Sequence, residues 1–324
     1  MVTQPLVFDP ATTRIGWIGT GVMGASMAGH LIAAGYPLTV YNRTKSKADP
    51  LVQRGATLCS SPADVARQSD VVFTMVGYPS DVSSVILGTD RQTDEQSNDR
   101  TDPQARWSIV DAIRGDATTR CRMVIDMTTS APSLAVTIAQ TLLRHHVHSL
   151  DAPVSGGDIG ARGATLSIMV GGSKAAFDAA SPLFDILGKT VVHQGDAGAG
   201  QHTKMVNQTL VAANMIGVCE AMLYADAAGL DAATMLRSVS SGAATNWALI
   251  NLAPKILDGD FAPGFYVEHF IKDMQIALDE AARMKIAMPG LALVHQLYVA
   301  VAAQGHARSG TQALAIALRT LSGR

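Results

Sequence analysis

Short, almost continuously apolar runs separated by helix-like stretches organise the first half of the chain. Ile15-Gly16-Trp17-Ile18-Gly19, Leu38-Thr39-Val40-Tyr41, Val71 to Val76 and Met123 to Met127 carry little polar alternation. That is the signature of strands buried on both faces. Helical patterns lie between them, notably Gly24 to Ala34, closed by Gly35, and Pro132 to Arg144. Alternating strand and helix predicts a parallel sheet covered by helices on both sides. Further strands are expected at residues 148–152, 166–170 and 191–193.

The pattern then changes. From Gly200 to Ala228 there is no proline, Gly217 is the one internal glycine, and the stretch is rich in Ala and Met. A helix of that length runs about 40 Å. The remainder to Leu321 reads helical, with breaks at Gly242, Pro254, Gly259-Asp260, Pro263-Gly264 and Pro289-Gly290. The expected class is α/β: an N-terminal Rossmann-like, doubly wound domain over residues 1–196, then an all-α domain over 197–324, linked by one long helix. So apolar a helix wants cover from a partner subunit, and a homodimer or homotetramer is expected. The polar segment Thr89 to Ser108 reads as a surface insertion.

Composition narrows the function. With 48% hydrophobic residues and a formal net charge of −2 among 324 residues, the chain suits a globular core. It lacks the basic balance that nucleic acid or an anionic membrane calls for. Three scattered cysteines form neither a disulfide framework nor zinc-ligand spacing, which fits a reducing cytoplasm. The longest apolar run, 210–218, is too short to span a bilayer, and the reading is a soluble protein. His145-His146-Val147-His148 has no accompanying Cys or carboxylate cluster, so no metal is expected.

Gly19-Thr20-Gly21-Val22-Met23-Gly24 is a G-x-G-x-x-G run placed directly after the first strand and opening the first helix. The first glycine permits the turn, the second lets backbone approach a pyrophosphate, and the third lets helix and strand pack closely. Unpaired N–H groups at the helix start favour phosphate. At the end of the second strand, where an NAD site places a carboxylate for the ribose, stand Asn42, Arg43 and Thr44. An arginine there suits the 2′-phosphate of NADP, so NADP is expected, with NAD possible.

Two further stretches carry chemistry. Asp151-Ala152-Pro153-Val154-Ser155-Gly156-Gly157 ends a strand in a turn whose N–H groups and hydroxyl suit a carboxylate. Gly198-x-Gly200-x-x-x-Lys204-x-x-Asn207-Gln208 opens the long helix, with Lys204, Asn207 and Gln208 at i, i+3 and i+4 on one face. An amine beside an amide suits a carbonyl that must be gripped and protonated as hydride arrives.

At these residues the chain resembles the β-hydroxyacid dehydrogenase family, which includes 3-hydroxyisobutyrate dehydrogenases, tartronate semialdehyde reductases and glyoxylate/succinic semialdehyde reductases. The resemblance runs from about Arg14 to Leu321. Its blocks are the glycine loop with Met23, the Asp151–Gly157 stretch, the Gly198–Lys204 stretch, and Lys272-Asp273. It implies an NAD(P)-dependent oxidoreductase acting on CH–OH groups, with a small carboxylate-bearing substrate. It further implies that Lys204 is the acid/base and that Ser155, Gly156 and Gly157 bind the substrate carboxylate. Thr129 falls near the nicotinamide ribose, Met75 and Val76 end a strand and line the adenosine side, and Lys272 reaches the cofactor from the helical domain. Two places depart from the family. Gln208 stands where relatives carry Asn, so either Asn207 or Gln208 supplies the orienting amide. Gly305 to Gly310 replaces an acidic stretch.

The leading expectation is reduction of a short semialdehyde, or oxidation of its β-hydroxyacid. The alternatives are an NAD-using 3-hydroxyisobutyrate dehydrogenase, an imine reductase, which Lys204 argues against, and a non-catalytic cofactor-binding module.

Overall fold

The structure, a computed structural model, describes residues 7–88 and 108–324. The insertion expected at 89–108 lies outside these except for Ser108, which caps a helix. The described chain divides into two compact units, Met1–Lys204 and Met205–Arg324.

In the first unit, β1 (Ile15–Ile18), α1 (Val22–Ala33), β2 (Leu38–Tyr41), α2 (Asp49–Val52), β3 (Thr57–Leu58), α3 (Pro62–Gln68) and β4 (Val71–Thr74) come first. There follow α4 (Pro79–Ile86), α5 (Ile109–Gly115), β5 (Met123–Asp126), α6 (Pro132–Leu143), β6 (His148–Asp151) and β7 (Val154–Ser155). The unit continues with α7 (Gly157–Arg162), β8 (Leu166–Gly171), α8 (Lys174–Asp185) and β9 (Gly188–Gly195). The strand order is β3-β2-β1-β4-β5-β6-β8-β7, with β9 on β8. The first six strands are parallel, in the doubly wound order 3-2-1-4-5-6. The sheet is not parallel throughout, as the sequence pattern suggested: β8 runs antiparallel to β6 and β7. The chain order reverses between β1 and β4, and in open α/β sheets ligands bind beyond the strand ends at such a point.

Alternation along the strands builds two cores. Ile15, Trp17, Phe73 and Ile125 face Met27 and Leu31 of α1 on one side, where the Trp17 and Phe73 rings stack at 5.2 Å. Ile18, Val72 and Val124 pack with α3, α5 and α6 on the other. β1, β2, β4 and β5, covered on both faces, are therefore apolar at most positions.

Helix α9 (Ala199–Ala227) starts in the first unit and continues into the second. It corrects the expectation drawn from the apolar run 210–218: by length and composition α9 is long enough to cross a bilayer, a property that core helices also have. The second unit is otherwise α10 (Ala232–Val239), α11 (Trp247–Asn251), α12 (Ala253–Leu257), α13 (Val267–Met284), α14 (Pro289–Val301) and α15 (Leu314–Leu321). Pro254 and Pro289 stand in the first turns of α12 and α14, where proline's missing N–H costs nothing. Phe270 and Tyr298 meet edge to face at 5.0 Å, and Tyr298 Oη donates to Thr311 O at 2.7 Å. That bond satisfies a hydroxyl inside an apolar core.

Candidate active site

The glycine loop separates its three roles cleanly. Gly19 has a positive φ of 96°, and a Cβ there would lie 2.2 Å from Met75 O. A Cβ on Gly24 would lie 2.0 Å from Gly19 O, against the turn that Trp17 Nε1 holds by donating to the same oxygen. Gly21 is different. A Cβ there meets nothing within 4 Å, so its backbone faces open space. Gly21 is the N-cap of α1, no side chain caps this end, and the first turn has no acidic residue. Unpaired N–H groups and the helix dipole therefore point at that space.

Thr20 N donates to Asn42 Oδ1 at 2.9 Å, and Asn42 Nδ2 donates to Thr44 O at 2.8 Å. Asn42 thereby staples the end of β2 to the loop. The buried hydroxyls Thr20 Oγ1 and Ser130 Oγ have no hydrogen-bond partner among the described residues. Buried polar atoms are normally satisfied, so these fit a polar ligand. Open backbone at Gly21, the uncapped helix and the orphan Thr20 hydroxyl together suit a dinucleotide pyrophosphate. Val22 and Met23 begin α1, Val22 being exposed and Met23 half-buried.

Arg43 is exposed, with Nη1 3.6 Å from Asp81 Oδ1. The same Asp81 accepts from Tyr78 N at the start of α4. Thus the arginine expected to meet a 2′-phosphate stands beside a carboxylate, which sequence spacing did not reveal. Met75 and Val76 lie just past β4 and do not end it, contrary to the sequence reading. Val76 N reaches across to Thr128 Oγ1 at 3.0 Å.

The Lys204 region is built by two sequence blocks acting as one. Asp151, at the end of β6, is buried, and its Oδ1 and Oδ2 accept from Gly198 N at 2.7 Å and Gln201 N at 2.8 Å. A carboxylate from the sheet therefore caps the start of α9, which is where a helix favours negative charge. The glycine spacing follows. Gly198 has φ 92°, and a Cβ on Gly200 would lie 2.4 Å from Met169 O and 2.5 Å from Asp151 O. One turn on, Lys204 is only 6% exposed, and its Nζ donates to Val154 O at 2.8 Å. The neighbouring Ser155 is half-buried, and Gly156 and Gly157 both have positive φ. The strand-end segment that carries the proposed carboxylate turn thus also holds the amine.

Burial pushes the Asp151 carboxyl up to about 6, although the N–H groups of Gly198 and Gln201 oppose the shift. Asp126 is its register neighbour on β5. Burial likewise raises Asp126 to about 6, opposed by hydrogen bonds from Thr74 and Thr128 and assisted by the Asp151 charge. Thr129, which follows, is half-buried.

Within the second unit, Asn207 Nδ2 donates to Gln208 Oε1 at 2.7 Å, and Gln208 Nε2 donates to Asp273 Oδ2 at 2.6 Å. Both ends of the buried Gln208 amide are engaged, whereas Asn207 is half-buried. Lys272 Nζ lies 2.9 Å from Asp273 Oδ1 as an ion pair off hydrogen-bond alignment. The 305–310 stretch has a structural use: Ser309 O and Ala307 O accept from Val267 N and Glu268 N, capping α13, the helix that carries Lys272. Sequence reading assigned no role to Asp151, Gln201 or Asp273. The Gly-x-Gly spacing before Lys204 was the available signal, since a helix start free of side chains implies something seated against it.

A sequence profile for the NAD-binding domain of 6-phosphogluconate dehydrogenase matches residues 14–98 and 111–195. One described as the NAD-binding region of NADP-dependent 3-hydroxyisobutyrate dehydrogenase matches 198–318. The chain is 46% identical to a probable mitochondrial 3-hydroxyisobutyrate dehydrogenase-like protein of Arabidopsis thaliana, over 98% of this chain and 88% of that one. It is 33% identical to the 2-hydroxy-3-oxopropionate reductase of Escherichia coli, over 95% and 98%. The solved Mycobacterium tuberculosis 3-hydroxyisobutyrate dehydrogenase with L-serine superposes at a TM-score of 0.81 with 27% identity, over 95% of this chain and 99% of that one.

Proposed function

The chain belongs to the β-hydroxyacid dehydrogenase family, as an oxidoreductase acting on CH–OH groups with a nicotinamide cofactor, and on that premise we propose that it interconverts a short carboxylate-bearing semialdehyde and its β-hydroxyacid, with Lys204 as the proton-transfer group. The observation that carries this reading is the buried amine of Lys204, its Nζ 2.8 Å from Val154 O and adjacent to the Ser155-Gly156-Gly157 turn. Inside this arrangement an anion and a carbonyl oxygen can be held together. The E. coli relative is named for a semialdehyde, and the L-serine held by the M. tuberculosis protein is itself a β-hydroxy carboxylate.

The bound cofactor would supply or accept hydride at the carbonyl carbon. The chain's residues do the rest. Gly21 and Thr20 face the dinucleotide phosphates on a loop shaped by Gly19 and Gly24, with Asn42, Arg43 and Thr44 at the ribose end. Ser155, Gly156 and Gly157 hold the substrate carboxylate through N–H groups and a hydroxyl. In reduction Lys204 donates a proton to the oxygen as charge develops there; in oxidation the neutral amine takes it back. Of the two amides Asn207 is the one left to orient the substrate, through its Oδ1, because its Nδ2 is given to Gln208 and Gln208 is held at both ends.

Arg43 favours NADP. A second reading, 3-hydroxyisobutyrate oxidation with NAD, is supported by Asp81 beside Arg43, since a carboxylate there opposes a 2′-phosphate. A spectrophotometric screen of short semialdehydes and β-hydroxyacids with both cofactors tests both. Turnover of a semialdehyde with NADPH, lost in Lys204→Ala, is the expected result. No turnover of any member of the panel would remove the assignment.

A partner subunit belongs to this reading. Val206, Leu210, Ala213, Gly217, Ala221 and Tyr224 are exposed at steps of three or four along α9. They form one apolar stripe, which a second copy would cover.

A further inference from the structure

One side chain ties the loop after β5 to the helix that carries Lys204. Gln201 is 0% exposed. Its Nε2 donates to Thr128 O at 2.7 Å, and its Oε1 accepts from Ser130 N at 2.9 Å. Its backbone N–H donates to Asp151 Oδ2 at 2.8 Å, and Thr128 Oγ1 accepts from Val76 N at 3.0 Å. Loops from the ends of β4, β5 and β6 therefore converge on the first turn of α9 through this residue.

The chemistry of the junction selects an amide. Thr128 O requires a donor and Ser130 N an acceptor, and both must come from one planar group. Glutamine offers both at once; a carboxylate offers only acceptors, and a lysine only donors. Gln201 also precedes Lys204 by three residues, so the two lie on the same side of the helix, less than one turn apart.

We infer that Gln201 is a positioning residue that holds the Thr128–Ser130 loop in register with Lys204, so that hydride and proton reach the two ends of one carbonyl. The inference rests on the proposed roles of Lys204 as proton donor and of Thr129 on the nicotinamide side. Both ends of the Gln201 amide are taken by Thr128 O and Ser130 N, so it acts through those two residues. A glutamine that merely filled the core would affect melting and nothing else.

The test uses Gln201→Met, which keeps the side-chain length and removes both bonds, and Gln201→Glu, which keeps the acceptor alone until it is protonated. In Gln201→Met we expect kcat to fall at least tenfold, with KM for the acid and NADPH affinity within threefold. The deuterium isotope effect with 4-deuterated NADPH should rise as hydride transfer becomes limiting. Hydrogen exchange at the Ser130 amide in the cofactor-free protein should quicken at least tenfold. For Gln201→Glu, kcat relative to the unmodified protein should climb as pH falls, because the protonated carboxyl regains a donor for Thr128 O. A folded Gln201→Met variant with kcat within twofold, or a flat pH ratio for Gln201→Glu, would overturn the inference. Should the unmodified protein turn over nothing, the functional reading falls by itself. Ser130 exchange still judges the latch, and an unchanged rate in Gln201→Met refutes it.

Discussion

At the scale of single residues, charge placement separates binding from chemistry. Lys204 touches the sheet through Val154 O and lies far along the chain from the glycine loop. Lys204→Ala should therefore leave NADPH affinity nearly intact while lowering kcat at least about a hundredfold, the usual scale for losing a proton-transfer group. Fluorescence titration of NADPH beside steady-state kinetics reads the two separately, and unchanged turnover would end the proton-transfer assignment. Arg43→Ala should weaken NADPH far more than NADH. Arg43 is exposed and its pair with half-buried Asp81 is worth at most about 1 kcal/mol, so the arginine should still bind a 2′-phosphate when one is offered. Equal losses for both cofactors would show that Arg43 is not the clamp. The two buried carboxyls supply a pH test. Asp126 and Asp151 are raised from 3.8 to about 6, so the folded state holds their protons more tightly than the unfolded one. Their contribution to stability is thus full below about pH 4 and is lost as pH rises through 6. Asn can keep the Oδ1 acceptor that Thr74 and Thr128 N use in Asp126. Asp126→Asn should therefore flatten the dependence of denaturation free energy on pH between 4 and 6, by roughly 1 to 3 kcal/mol over the window. An unaltered slope would show that Asp126 does not titrate there.

The elements explain why some of this was legible in the sequence and some was not. Strands buried on both faces are driven to be apolar at most positions, and so β1, β2, β4 and β5 announce themselves. Gly19, Gly21 and Gly24 are legible for the same kind of reason, because each excludes a side chain. The cause of the exclusion differs, and that difference is testable. Gly21→Ala has room for its methyl group. It should leave the melting temperature unchanged while weakening NADPH, whereas Gly24→Ala, pressed against Gly19 O, should cost about 1 to 3 kcal/mol from overpacking. Equal melting in both variants would contradict this division of labour. By contrast, the antiparallel β8 and the short β7 were not legible as such. Their pairing depends on contacts with residues far along the chain, such as Asp151 with Gly171. Gln201 escaped for the same reason. A buried glutamine looks like a surface one until its partners, 71 and 73 residues away, are in place. The Asp81 carboxylate beside Arg43 likewise arises from the turn before α4, which no local spacing encodes.

For the whole molecule, what remains is the apolar surface left over when both units have buried their own cores. Helix α9 is apolar enough to span a membrane, yet only 33% of its most apolar stretch is buried. Val206, Leu210 and Tyr224 are 62%, 60% and 74% exposed. Ala213, Gly217 and Ala221 lie between them on the stripe, and a Cβ on Gly217 would meet nothing within 4 Å. Small residues at that spacing let a second helix approach closely, and the large ones at either end supply area. Leaving three such side chains in water forgoes roughly 25 cal/mol for every Å² that could be covered. A bilayer would cover it as well, but a buried lysine and two buried glutamines near the start of the same helix would then need to enter hydrocarbon, at several kcal/mol for the charge alone. Self-association meets no such cost. The purified protein should therefore sediment at no less than twice its 33.9 kDa chain mass at micromolar concentration, without detergent. Leu210→Glu puts a charge on the stripe, toward its N-terminal end, at an exposed position. It should shift the mass toward that of a single chain while the far-ultraviolet circular dichroism stays unchanged. A single-chain mass for the unmodified protein would show that the stripe is simply exposed, and an unshifted mass for the variant would place the subunit contact elsewhere.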